Sequence, residues 1–342
     1  DRYYISVLHK ESTGNDHLRV QWEGPGVLRD TVRSGFLSPV VPEMGQNGAD
    51  TVVVKARAFA AGAIPSKITT RTYAIGYDPD MHHGPALFLS GDEERVFFAP
   101  DGATTIIGGS YDDNNRWVAN DVEHDYNFAM AEGRPFERKA TIEIVMPDGT
   151  LGRRTGLGVR VAGSPHARPH YRALNPSSNW LGSWTSKPSL NFFFRDDYGD
   201  ESLDLSILPD QALGGFGTMR LRAGKNDSSN PFTRDEVMRR ISWATGQVAS
   251  RGVFSNLWIN GHHKAYFNLT ERLREPFFQR HYETDVEWDI WHIREIVEGD
   301  RIHYDATMNL LRNQPMSVDA NYAAAEARVD MANDIDYIIT NT

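Results

Sequence analysis

The sequence predicts an α+β domain preceded by small all-β segments, and three observations predict it. Runs with two-residue hydrophobic alternation recur from residue 86 onward, as in KATIEIVM (139–146) and KPSLNFFFR (187–195). An apolar stripe at helical spacing occupies 233–250, with Val237, Ile241, Ala244 and Val248 on one face and Gly252 as its stop. Upstream, 1–76 consists of short β-like runs separated by polar, Gly- and Pro-containing turns.

The elements follow in chain order. YYISVLHK and HLRVQWEGP flank Thr13-Gly14-Asn15-Asp16 and read as a β-hairpin, too small to bury a core alone. A linker at 41–50 leads to strands at 51–59 and 67–75, and a second linker at 76–85 follows. LFLSG (87–91) and 139–146 are strands, with a polar loop at 108–127 between them. Residues 157–163 and 187–195 are strands; Phe193 opposite Leu190, Phe192 and Phe194 implies burial on both faces. A strand at 218–223 precedes the helix, for which Thr233 and Glu236 fit a capping box. VFSNLWIN and HKAYFNLT around Asn260-Gly261 read as a hairpin with a type I′ turn. A helix over 270–282 capped by Thr270, a strand at 287–293 and a helix at 329–342 complete the pattern. A chain that starts in a strand at Asp1 and stops in an uncapped helix at Thr342 reads as a piece of a longer protein.

Composition narrows the function classes. The 342 residues allow two or three domains, or one large one. With 40% hydrophobic and 24% charged residues the chain is neither disordered nor membrane-spanning, and no apolar run approaches the ~20 residues of a bilayer helix. A net charge of -10 argues against a general nucleic-acid binder but leaves room for a local basic pocket. The absence of cysteine excludes disulfides, thiolate zinc sites and Cys nucleophiles.

Most polar motifs read as ordinary surface. His82-His83 and His262-His263 are adjacent pairs that chelate poorly, and Asp112-Asp113 reads as a solvated loop pair. No H-E-x-x-H, EF-hand, G-x-x-x-x-G-K-[ST] or G-x-S-x-G motif occurs. One grouping stands apart. Lys187 and Arg195 are eight residues apart on one expected strand, and Arg220 and Arg222 share a face of another, followed by a turn that ends at Asp227. Cations on apolar strands of an acidic protein suit an anionic ligand such as a nucleotide phosphate, or else protect a sheet edge.

At these residues the chain resembles the spore-coat-protein-H (CotH) kinase family, an atypical secreted kinase group. The resemblance runs from about 86 to 342 through FERKATIEIVMPDG, GLGVRVAGSPHAR, KPSLNFFFRDDYG, MRLRAGKND, LWINGHHKAYFNLTERL and IVEGD, in the family's order. Upstream, YYISVLHKESTGNDHLRVQWEGPG (3–26) resembles the closing hairpin of a PA14-type β-sandwich. TVVVKARAFAAGAIPSKITTRTYAIG (51–76) resembles the Ig-like C-terminal module of chitobiase-type proteins. The implied organisation is a partial PA14-like hairpin (1–40), a partial Ig-like segment (41–76) and a kinase-like domain (86–342) without its C-terminal catalytic part.

The resemblance implies an atypical protein-kinase-like fold, ATP with Mg²⁺ as cofactors, and transfer of the γ-phosphate to Ser or Thr of surface proteins outside the cell. Lys187 would grip the phosphates and Glu271, at the start of the 270–282 helix, would hold Lys187; Arg195, Arg222 and Asp227 would line the nucleotide site. The catalytic residues are not assigned: the family's D-W-x-x-N-N and W-D-x-D aspartates are absent from this sequence and expected beyond Thr342, so this piece alone is expected to be inactive. Ala265 stands where the family has glycine. The alternative function is a non-catalytic extracellular adhesion or carbohydrate-binding protein on the same scaffold, and a carbohydrate-active enzyme is a third.

Overall fold

In the computed structural model the described residues are 21–24, 27–31, 50–56, 64, 69–75, 84–106, 109–111, 117–119, 129, 131–163, 168, 171, 172, 174–176, 180, 186–208, 215–224, 233–292 and 295–341. Strands β1 (Gln21–Gly24) and β2 (Val27–Thr31) pair antiparallel. The turn expected at 13–16 lies outside the described residues, as do His82-His83 and Asp112-Asp113. Strands β3 (Asp50–Ala56) and β4 (Thr69–Ile75) pair in register from Asp50↔Ile75 to Ala56↔Thr69. Thr51 Oγ1 donates to the Gly261 carbonyl and Lys55 Nζ to the Gly91 carbonyl, which ties this hairpin to the next unit.

From residue 86 the strands join edge to edge. They are β5 (Ala86–Ser90), a separate small pair β6 (Gly109–Tyr111) and β7 (Trp117–Ala119), then β8 (Arg138–Val145), β9 (Leu151–Ala162), β10 (Ser189–Phe193), β11 (Thr218–Arg222), β12 (Gly252–Ile259) and β13 (His262–Glu271). Seven of them form a closed barrel in the order β10-β11-β13-β12-β5-β8-β9. Long β9 closes it by pairing antiparallel with both β8 and β10; the β5–β12 pair is parallel. Inward residues include Leu87, Ile144, Val159, Phe192, Leu221, Leu257 and Phe267, each at most 1% exposed. The Asn260-Gly261 turn has φ of 48° and 87°, the positive values of a type I′ hairpin.

The α+β, kinase-like expectation is thereby corrected to a closed β-barrel with few helices. The physical reason is that the alternating strands bury their apolar face against one another around a common interior, so no helical layer is needed to cover a sheet. Helix α1 (Arg234–Ala244) shows this directly. It is shorter than the 233–250 expected, and its side toward the barrel carries Glu236, 6% exposed, while Val237 and Ile241 are 46% and 39% exposed. Glu236 accepts from Arg239, Arg240 and Asn268 Nδ2, so it anchors the helix to β13 and leaves no capping box.

The expected helix over 270–282 is also corrected. Thr270 and Glu271 end β13, and α2 (Glu275–His281) starts after Arg274, with Pro276 in its first turn. Alternation carries the strand through Leu269 to Glu271, and Pro276 favours a helix start at that point. Strands β14 (Ile290–His292) and β15 (Glu295–Glu298) then form a ribbon, followed by α3 (Ile302–Asn313), α4 (Asp319–Glu326) and α5 (Met331–Asn341). Helix α5 meets the segment just after α1 through Gln247, whose side chain bonds Asp336 and Asn333 at 2.7 Å.

Candidate anion-binding face

Strand register builds this face. One row runs Arg160↔Asn191↔Arg220↔Thr270 across β9, β10, β11 and β13, and the next runs Gly158↔Phe193↔Thr218. Because Val159, Leu190, Phe192, Met219, Leu221 and Leu269 point inward, alternation sends Arg160, Asn191, Phe193, Arg220, Arg222 and Arg272 outward. Phe193 is nonetheless only 5% exposed, because guanidinium groups cover it: the Cζ atoms of Arg160, Arg195 and Arg272 lie 5.3, 5.3 and 5.4 Å from its ring centre. Cation–π attraction is the local reason for this clustering.

The carboxylates around the face are already engaged. Glu137 accepts from Arg195 Nε and Nη2 at 3.0 and 2.9 Å and from the Tyr198 hydroxyl at 3.0 Å. Asp235 meets Arg222 at 2.8 Å, Glu132 pairs with Arg168, and Glu298 stands 3.7 Å from Arg274. Three arginines receive no such partner among the described residues. Arg160 donates from Nη1 to the Gly133 carbonyl at 3.0 Å, and its buried Nε has no acceptor among the described residues. Arg220 donates from Nε to Asn191 Oδ1 at 3.1 Å. Arg272 makes no hydrogen bond and no ion pair among the described residues; its contact is the Phe193 ring.

Electrostatics record the crowding. Burial, followed by the like charges of Arg220, Arg274 and Arg160 and opposed by Glu298, pushes Arg272 down to about 9. Burial and then Arg222, Arg274 and Arg160 push Arg220 down to about 10. Arg160 is lowered as well, mainly by burial. A half-buried set of guanidiniums with unused N–H groups is suited to binding an oxyanion, whose charge relieves their repulsion and whose oxygens take their donors.

The residues expected to form the nucleotide site separate. Arg195 and Arg222 belong to this face, held by Glu137 and Asp235. Lys187 precedes β10 and sits over the ring of inward-facing Phe267, its Nζ 4.7 Å from the centre; burial lowers it to about 8. Thus Lys187 and Arg195 do not share one strand face, because β10 is only five residues long. Glu271 is four positions beyond Phe267 on β13, about 13 Å along the strand. Its carboxylate accepts from Arg251 N at 2.9 Å and faces His281 and Arg280 at 3.5 and 3.8 Å. The structure therefore gives Lys187 and Glu271 different neighbours. Asp227 lies outside the described residues.

No protein-family model matches the chain, and no curated protein matches it. Sequence reasoning left Arg160, Arg272, Arg274 and Phe193 out of the site. Their signal is an arginine alternating with buried apolar residues in V-R-V (159–161) and M-R-L-R (219–222); E-R-L-R (271–274) carries no such signal, since Glu271 is charged and Leu273 is exposed. Of the adjacent histidine pairs, read as poor chelators, His263 Nε2 bonds Asn256 Oδ1 at 3.0 Å and its ring packs on Trp258. Among the described residues no three His, Asp or Glu side chains come together as metal ligands. With its carboxylates held by arginines, the face does not fit Mg²⁺.

Proposed function

We propose that the barrel binds the phosphate groups of a nucleotide on its arginine face, as the ligand-binding part of the phosphotransferase that the CotH resemblance implies. One observation carries the reading: Arg272 stands half-buried beside Arg160 and Arg220, and none of the three has a carboxylate partner among the described residues. Charge-assisted bonds to phosphate oxygens are among the strongest polar contacts, and arginine presents them in pairs. Arg222 and Arg274 border the three at either end, each paired with a carboxylate, Asp235 and Glu298. Transfer to Ser or Thr of surface proteins, and an extracellular or cell-surface setting, belong to the proposal on the strength of the resemblance.

Isothermal titration with ATP and ADP tests it. Binding that weakens at least tenfold in Arg272→Met, and that falls steeply as salt rises, is the expected result. Nucleotide binding indifferent to both changes, or no binding, refutes it.

A further inference from the structure

The geometry points to recognition of the phosphate chain itself: we infer that the arginine face selects a di- or triphosphate over a single phosphate and takes it without a bridging divalent cation. This rests on the phosphate-binding reading above and extends it to the ligand class.

Spacing sets the first half. Arg160 and Arg220 flank Asn191 in one row, two strand spacings or about 10 Å apart at Cα. Arg220 and Arg222 are two residues apart on β11, about 7 Å. Arg272 lies one row away, beyond the Met219↔Glu271 pair. Guanidiniums rooted on three strands thus gather around the Phe193 ring, and together they offer more N–H donors than one tetrahedral phosphate can take, whereas a chain of two or three engages them all. Charge agrees: with Glu132 and Glu137 acting on Arg160 and Glu298 on Arg272 only from beyond ion-pair distance, three arginines without an ion pair among the described residues suit a phosphate chain better than the charge of about −2 on one phosphate monoester.

The neighbouring carboxylates set the second half. Magnesium reaches a protein through free carboxylate oxygens and phosphates together. Here Glu137, Glu132, Glu298 and Asp235 are each held by an arginine, and Asn191 Oδ1 accepts from Arg220. A magnesium complex also arrives with two fewer negative charges, so the arginines attract it less. The guanidiniums take the place that the metal occupies in other phosphate sites.

Titration of the whole chain with orthophosphate, pyrophosphate, tripolyphosphate, adenosine and ATP, each in EDTA and in excess Mg²⁺, tests this. The expected order is tripolyphosphate and ATP together, then pyrophosphate, with orthophosphate at least about 100-fold weaker and adenosine silent. Excess Mg²⁺ weakens the tight ligands several-fold. Arg272→Met loses about tenfold for tripolyphosphate and Arg272→Lys an intermediate amount, since lysine keeps the charge but not the fork. Arg312→Met, on exposed α3, changes nothing. ATP binding with no tripolyphosphate binding, a requirement for Mg²⁺, or equal affinity for orthophosphate overturns the inference while leaving the nucleotide reading standing. Failure of every phosphate ligand to bind overturns both.

Discussion

Arg272 stands over the Phe193 ring, its guanidinium carbon 5.4 Å from the ring centre, and gains no hydrogen bond or ion pair among the described residues in return for leaving water. Arg220, Arg274 and Arg160 add repulsion. Such an arrangement is costly to the fold and useful to a ligand, a trade common at binding sites. Arg272→Met is therefore expected to stabilise the protein by about 1 kcal/mol, because a flexible apolar chain of similar length covers Phe193 without a buried charge. Differential scanning calorimetry of the apo protein, beside phosphate titration of the same variant, checks it. A lower melting temperature in the variant shows that the guanidinium is a structural bond rather than a reserved one.

The Arg195–Glu137 fork depends on a glycine contact nearby. A Cβ at position 156 would lie 1.8 Å from the Tyr198 carbonyl oxygen, and one at 199 would lie 2.5 Å from Gly156 N. Backbone meets backbone here, so neither side can yield by turning a side chain. Gly156→Ala is expected to cost about 3 kcal/mol and to push 195–199 away from β9. Urea denaturation gives the loss of stability. A shift of the midpoint worth less than about 0.5 kcal/mol contradicts the close approach.

Legibility in the sequence followed the range of the interactions. The β12–β13 hairpin was readable because Asn260 and Gly261 supply the positive φ that the turn demands, a local property. Burial of Phe193 on the far face of β10 was readable as well, from the unbroken apolar run. Helix α1 was misread because its buried residue is Glu236, a carboxylate that pattern reasoning assigns to the surface. Glu271 was placed in a helix because Thr-Glu after an apolar run resembles a cap, whereas pairing with Met219 holds it in the strand. The arginine face was hidden for a different reason: Arg160, Arg220 and Arg272 come from three strands, and only their register through Asn191 and Met219 brings them together.

Lys187 predicts a pH dependence. Its ordinary value is 10.5 and burial lowers it to about 8 in the folded protein. Between about 8 and 10.5 the unfolded chain therefore holds more protons than the folded one at this site, so its contribution to stability rises with pH there. Below about 8 both states are protonated, and the burial cost of the charge is felt in full. The slope in the window reaches at most about 1.4 kcal/mol per pH unit for one proton. Lys264, also lowered to about 8 by burial, adds to it. Denaturation of wild type and Lys187→Met from pH 7 to 10 isolates the lysine: the advantage of the variant is expected to be largest at pH 7 and to shrink as pH rises. An advantage constant across that range rules the assignment out.

Glu271 separates a structural role from a ligand-gripping one. Its carboxylate, 3% exposed, accepts the Arg251 amide and faces His281 and Arg280 from α2. Removing the charge leaves the Arg280 guanidinium, itself lowered by burial and raised again by Glu271, without its compensating partner. Breaking one side of a buried pair costs about 3–5 kcal/mol, more than a neutral hydrogen bond returns. Glu271→Gln is thus expected to lower the denaturant midpoint sharply and to loosen α2, with hydrogen exchange rising first along Phe277–His281. Affinity for tripolyphosphate in the folded fraction is expected to stay within about twofold, since the arginine face takes its charge from Arg160, Arg220 and Arg272. A variant that keeps its stability but loses phosphate affinity more than tenfold would return Glu271 to the ligand site, as the partner of Lys187 that the kinase resemblance describes.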